Sequence, residues 1–126
     1  MPRAQCIDHL VLVCRDVETT LAWYQRHLEL EPTRVAEWRA GQAPFPSLRV
    51  DPQTIIDLIP GADGHRGHLD HICVVVTADD IEAVRASGEL EIEAEGDRFG
   101  ARGVAHSIYV TDPDGLTVEL RAYPAD

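Results

Sequence analysis

The chain contains no lysine; all eleven of its basic residues are arginine. Schiff-base chemistry and a lysine general base are therefore excluded, because no amine side chain is present to perform them. Cysteine is also sparse. Cys6, Cys14 and Cys73 have no C-x-x-C spacing, and each lies in an apolar stretch where a thiol behaves as a small buried hydrophobe. That usage is expected of a reducing cytoplasm. Long apolar runs are missing: the longest, 10–14 and 72–76, fall far short of a membrane span or a signal-peptide core. A soluble protein that is not exported is the expectation. Positive charge is scarce, with 11 basic residues against 22 acidic ones and a net charge of −11. A field of that sign repels phosphate backbones and anionic membranes, so neither is an expected partner.

What is present is one order of elements run through twice. Residues 6–14 are rich in Val, Leu and Ile and read as a strand. Residues 15–30 then change to helical spacing, with Asp16 placed to cap and Val17, Leu21, Tyr24 and Leu28 on one face. After Pro32, short strands are predicted at 33–38, 47–50 and 54–59, with Asp51-Pro52 marking the turn before the last. Residues 60–67, with Pro60 and three glycines, read as a linker. A second strand then starts at His68, followed by a helix over 79–87 that stops at Gly88 and by strands at 89–93, 105–111 and 116–122. The turn Asp112-Pro113-Asp114-Gly115 closes the final hairpin. The expected architecture is a single α+β domain made of two βαβββ modules, about 5–60 and 68–123.

The repeat is visible in the residues themselves. Ile7-Asp8-His9-Leu10 aligns with Leu69-Asp70-His71-Ile72, and the segment ending Asp57-Leu58 aligns with that ending Glu119-Leu120; the offset is 62 in both cases (71 − 9 and 119 − 57). Strand alternation gives His9 a face shared with Ile7, Val11 and Val13, and gives His71 one shared with Leu69, Cys73 and Val75. A lone histidine on such a face is commonly a core residue bonded to a backbone carbonyl. Duplication at a fixed offset favours ligation instead. Asp57 has apolar neighbours on both faces, so its carboxylate needs a cation or strong donors. Glu119 shares its face with Thr117 and Arg121, a pattern that also suits a solvated strand, and only its match to Asp57 singles it out. The set His9, His71, Glu119 and Asp57 suits one divalent ion of Zn, Ni, Mn, Fe or Co, and two histidines with one acid also describe the facial triad of non-haem iron enzymes. His65 falls in the linker and His68 on the opposite strand face from His71, so neither is expected to join the site.

Residues 95–103 carry Arg98 and Arg102 among glycines and read either as a loop that folds over the site, offering guanidinium groups to an anionic substrate, or as a plain hairpin loop. Ser107 and Tyr109 share a strand face. They either point hydroxyls at substrate or support the sheet.

Taken together, Ile-Asp-His at 7–9, Ala22-Trp23-Tyr24 with Leu28-Glu29-Leu30, Leu-Asp-His at 69–71, and the run from Tyr109-Val-Thr-Asp-Pro-Asp-Gly to Val118-Glu119-Leu120 resemble the vicinal oxygen chelate superfamily. This group includes glyoxalase I, extradiol dioxygenases, methylmalonyl-CoA epimerase and the fosfomycin- and bleomycin-resistance proteins. The short glyoxalase-domain proteins of unassigned substrate are the nearest in character. The resemblance implies that each module curls into half a barrel and that the two enclose a metal held by His9, His71 and Glu119. In glyoxalase I and the epimerase a fourth ligand, Glu or Gln, stands where this chain has the shorter Asp57; in the dioxygenases and fosfomycin enzymes three positions suffice. Val11, in place of a threonine, and the absence of lysine depart from the fosfomycin enzymes, although Ser107 and Tyr109 match that group's phosphonate-binding hydroxyls. The function implied is a metal-dependent lyase or isomerase of the glyoxalase kind, in which the ion chelates adjacent oxygens of a small molecule while Glu119 or Asp57 serves as base. An iron(II) extradiol dioxygenase and a non-catalytic bleomycin-resistance-like binding protein are the alternatives. A homodimer, common in the family, is expected.

Overall fold

The computed structural model describes residues 2–61, 67–111 and 117–125. The linker histidine His65 and the expected turn at 112–115 lie outside them. Eight strands and three helices follow in the order β1 (Cys6–Cys14), α1 (Val17–Leu28), β2 (Glu31–Thr33), α2 (Val35–Arg39), β3 (Ser47–Asp51), β4 (Thr54–Pro60), β5 (Leu69–Val75), α3 (Ala78–Ser87), β6 (Ala94–Gly100), β7 (Gly103–Thr111) and β8 (Thr117–Ala122). All the strands join one curved mixed sheet in the order β2-β3-β4-β1-β5-β8-β7-β6. That order is a palindrome of the two modules, joined by the antiparallel β1–β5 pair at the centre.

Local chemistry fixes the helices. Asp16 caps α1 by accepting from the Thr19 amide at 3.1 Å. Thr77 and Asp80 form a reciprocal capping box on α3, which ends at Gly88 with φ of 66°. Each helix covers one side of its own module. Val17 and Leu21 of α1 pack on Cys14, Leu48 and Leu58, and Ile81 and Val84 of α3 pack on Ile108, Leu120 and Ala122. Burial of each large aliphatic side chain in these layers contributes roughly 1.5–3 kcal/mol. Among the described residues no helix is long and apolar enough to cross a membrane.

Two expectations are corrected. Residues 33–38 do not form a strand: the strand is β2, and Val35–Arg39 is a short helix that sets Val35 and Trp38, three apart, against the first module's core. The strand expected at 89–93 lies later, at β6, where it pairs with β7 through a two-residue turn at Ala101-Arg102. The stretch 95–103 is therefore mostly sheet edge, a β-hairpin rather than a loop.

A third departure concerns strand parity. Ile7 is 47 % exposed and Leu69 40 %, whereas His9 is only 2 % exposed. Between β1 and β5 the register runs Ile7↔Val74 to His9↔Cys73 and Val11↔His71 to Leu12↔Leu69, so Asp8 and Asp70 are each the extra residue of a β-bulge. A bulge interrupts the strict two-residue alternation. Ile7 and Leu69 consequently do not share the environments of the histidines that follow them.

Candidate metal centre

The face away from the helices gathers the paired histidines and acids. Parallel pairing of β1 with β4 sets Val11 opposite Asp57, and parallel pairing of β5 with β8 sets Cys73 opposite Glu119. Each acid thus stands one strand across and two residues along from its histidine, in the same register in both modules. The bulged aspartates then orient the rings. His9 Nδ1 donates to Asp8 Oδ2 at 2.8 Å, and His71 Nδ1 to Asp70 Oδ2 at 2.7 Å. Engaging Nδ1 in this way turns each Nε2 inward, where it becomes a donor atom for a metal once its own proton is given up.

The three inward atoms converge. His9 Nε2 and His71 Nε2 are 3.2 Å apart, and each lies 3.1 Å from Glu119 Oε1. Metal–ligand bonds of about 2.1 Å would place neighbouring donors about 3.0 Å apart in an octahedron and about 3.4 Å apart in a tetrahedron. The triangle falls between these values, so the donor set fits a divalent ion in both size and chemistry. Asp57 stands further back, with Oδ2 3.9 Å from His9 Nε2 and Oδ1 accepting from Ser47 Oγ at 2.6 Å.

The electrostatics favour positive charge at this point. Burial opposes protonation of His9, but hydrogen bonds with Asp8, Cys73 and Glu119 outweigh it and raise the pKa to about 12; His71 is raised similarly, against burial, by Glu119 and Asp70. A divalent ion would meet the same field. Burial pushes the Glu119 carboxyl up, yet His71, His9 and Ser107 hold it well below the usual range. Asp57 goes the other way, with burial raising it against the opposing pull of His9, Ser47 and Arg34.

Glu119 is also pinned from behind. Its Oε2 accepts from Ser107 Oγ at 2.7 Å and from Arg121 Nη1 at 3.1 Å. Arg121, fully buried, also donates Nη2 to the Arg98 and Gly103 carbonyls at 2.8 and 3.0 Å, and its Nε lies 3.7 Å from Asp8 Oδ2. Asp8 in turn accepts from the Ala101 amide and from the Tyr123 hydroxyl. One buried network thereby ties the carboxylate that orients His9 to the carboxylate that meets both imidazoles.

His9, His71, Glu119, Asp57, Arg98 and Tyr109 line a cavity of about 290 Å³. The Tyr109 ring packs edge-on to His71, and burial with the Glu119 charge raises its hydroxyl to about 12. Ser107 is buried with its hydroxyl on Glu119. Arg102 lies over the Tyr123 ring at 4.1 Å and is not among the residues of the cavity wall. His68 is exposed and makes its contact with the Val13 carbonyl, away from the site.

Residues 6–120 match the Glyoxalase/Bleomycin resistance protein/Dioxygenase superfamily. The chain belongs to that superfamily. Among its relatives, the Virulence protein STM3117 of Salmonella typhimurium is 27 % identical over 121 residues, covering 93 % of this chain and 83 % of the relative. The Glyoxalase domain-containing protein RDO1 of Mycosarcoma maydis is 30 % identical over 121 residues, covering 93 % and 68 % respectively. Among solved structures, methylmalonyl-CoA epimerase from Mycobacterium tuberculosis superposes with a TM-score of 0.66 at 19 % identity, covering 98 % of this chain and 90 % of that one. That similarity is one of fold.

Sequence reasoning missed Asp8, Asp70, Ser47, Arg121 and Tyr123. The available signal was the Asp-His dipeptide, repeated at 8–9 and 70–71, which pairs each ligand candidate with its own proton acceptor.

Proposed function

We propose that this chain is a divalent-metal-dependent lyase or isomerase of the glyoxalase kind, with His9, His71 and Glu119 holding the ion and Asp57 acting as the base. The carrying observation is the meeting of two imidazole nitrogens and one carboxylate oxygen at 3.1–3.2 Å, with a second buried carboxylate held just outside the trio. When bound, such an ion supplies Lewis acidity to a pair of adjacent substrate oxygens. The division of labour between the acids follows from their partners. Glu119 has both oxygens engaged, by the imidazoles on one side and by Ser107 and Arg121 on the other, so it is suited to stay in place. Asp57 is anchored through Oδ1 alone, and the residue forms part of the cavity wall. Its second oxygen is the one suited to take a proton from a carbon beside a substrate carbonyl.

The trio alone also has the composition of a facial triad, which favours a second reading as an iron(II) extradiol dioxygenase in which Asp57 is dispensable. Ion content of untagged protein, measured with Asp57→Ala, His71→Ala and His68→Ala, together with solvent deuterium exchange into a 2-oxo or hemithioacetal substrate, separates the readings. The lyase reading expects about one ion per chain, loss of the ion in His71→Ala but not His68→Ala, and exchange slowed at least 100-fold in Asp57→Ala. Unchanged exchange in Asp57→Ala would sink it, and turnover of a catechol requiring iron(II) and oxygen would put the dioxygenase in its place.

A further inference from the structure

Two cations in the cavity wall, Arg34 and Arg98, are used by none of the chemistry above, and Arg34 is the less satisfied of the two, since Arg98 Nη1 donates to the Asp97 carbonyl at 3.1 Å. Arg34 lines the same cavity as His9 and Asp57. It precedes α2 with φ of 59°, a left-handed conformation uncommon for a side chain of this size. Its guanidinium lies 3.8 Å from the Phe99 ring centre and 4.9 Å from that of Phe45. Among the described residues its hydrogen bonding amounts to one long contact, from Nη2 to the Phe45 carbonyl at 3.4 Å. Nε is buried with no partner, and no ion pair to a described carboxylate is formed. Asp57 feels its charge but is not paired with it. An arginine stacked on aromatic rings, lining a cavity and holding one long hydrogen bond among the described residues, is arranged for a planar anion.

We propose that Arg34 is the recognition residue for a substrate carboxylate, so that the substrate is a small oxo- or hydroxy-acid whose carboxylate lies apart from the oxygens offered to the metal. The proposal deepens the reading above and rests on it only for those metal-facing oxygens. The volume, near the lower end for ligand cavities, suits a molecule of this size. Arg34 and Phe45 flank the segment between β2 and β3, whereas Phe99 comes from β6, so the carboxylate would be held where the two modules face each other.

The test is calorimetric titration of L-malate against L-lactate, which share a hydroxyl beside a carboxylate and differ in the second carboxylate, into zinc-loaded and EDTA-treated protein. In the wild type malate should bind at least tenfold tighter than lactate in both states. Arg34→Gln should bring the ratio to about one with ion content and unfolding temperature unchanged, and Arg34→Lys, which keeps the charge without the planar fork, should recover only part of it. A wild-type ratio near one, or a preference for malate that survives Arg34→Gln, overturns the proposal; if Arg34→Gln fails to fold, full preference in Arg34→Lys does so. A protein that takes up no ion yet keeps the malate preference would defeat the metal reading and leave the Arg34 assignment standing.

Discussion

The two modules agree where they face the candidate metal and differ where they face the rest of the cavity. Parallel register, bulge, histidine and acid recur between β1/β4 and β5/β8 at one offset. Between the second and third strands, however, the first module carries residues 34–46 with a short helix, whereas the second makes a two-residue turn. The surroundings of the duplicated parts are unequal as well. Asp8 is fully buried and held by Tyr123, Ala101 and Arg121, whereas the side chain of Asp70 is 35 % exposed. Symmetry in the strands thus sets the ion-sized triangle, and asymmetry in the connections sets what else enters the cavity.

The largest expected effect tests the buried network on which that inequality depends. A Cβ at Gly100 would lie 2.5 Å from both Arg121 Cζ and Asp8 Oδ2, neither of which has room to retreat. Gly100→Ala should destabilise the fold by about 2–3 kcal/mol in chemical denaturation. Gly41→Ala, in the first module's insert, meets open space and bears only the strain of its φ of 77°, roughly 1 kcal/mol. Equal losses would show that the network is not tightly packed.

Next in size is the contrast between the two orienting aspartates. Asp8→Asn should weaken zinc binding about 10–100-fold, since the lost carboxylate fixes the ring of His9, while Asp70→Asn should weaken it only a few-fold because water can replace the half-exposed partner. Competition with a chromophoric chelator reads both constants. A larger loss in Asp70→Asn would reverse the ranking of the modules.

The smallest effect lies on the outer surface. Arg85, followed by His106, lowers the Glu95 carboxyl to about 2. A depressed carboxylate stabilises the fold above its unfolded value of 4.5, and that contribution is lost as pH falls toward about 2. Glu95 is exposed, so solvent screening keeps the gain slight. Glu95→Gln should lower the unfolding midpoint by no more than a degree or two at pH 7, with the gap closing on acidification, and should leave ion content untouched.

The sequence made the centre of the sheet legible and its margins less so. The central strands β1, β4, β5 and β8 are apolar on their helix-covered side, and their repeat identifies the register. The edge strand β6, Ala94–Gly100, has one neighbour and is largely exposed, so it carries little apolar alternation to betray it. Val35 and Trp38 fit a short strand or one helical turn, and packing on the first module's core decides for the helix. At the site, the histidines and Glu119 were legible from duplication. Arg121 shares a strand face with Glu119, a pattern that also suits a solvated strand, because charge next to charge on one face ordinarily marks the surface. Only the cage of carbonyls and carboxylates contributed by Arg98, Phe99, Gly103, Glu119 and Asp8 makes its burial tolerable.

The bulges at Asp8 and Asp70 have a consequence for how the chain tolerates change. Each acts as a reset of phase, so the face presented by residues before it is uncoupled from the face presented by those after it. Shortening the segment ahead of Asp8 by one residue would shift the outward-facing Ile7 region and leave His9 pointing inward. Because imidazole and orienting carboxylate occupy one dipeptide, a slip of the strand moves them together or not at all, and the hydrogen bond that decides which imidazole nitrogen faces the cavity stays with the ring it governs.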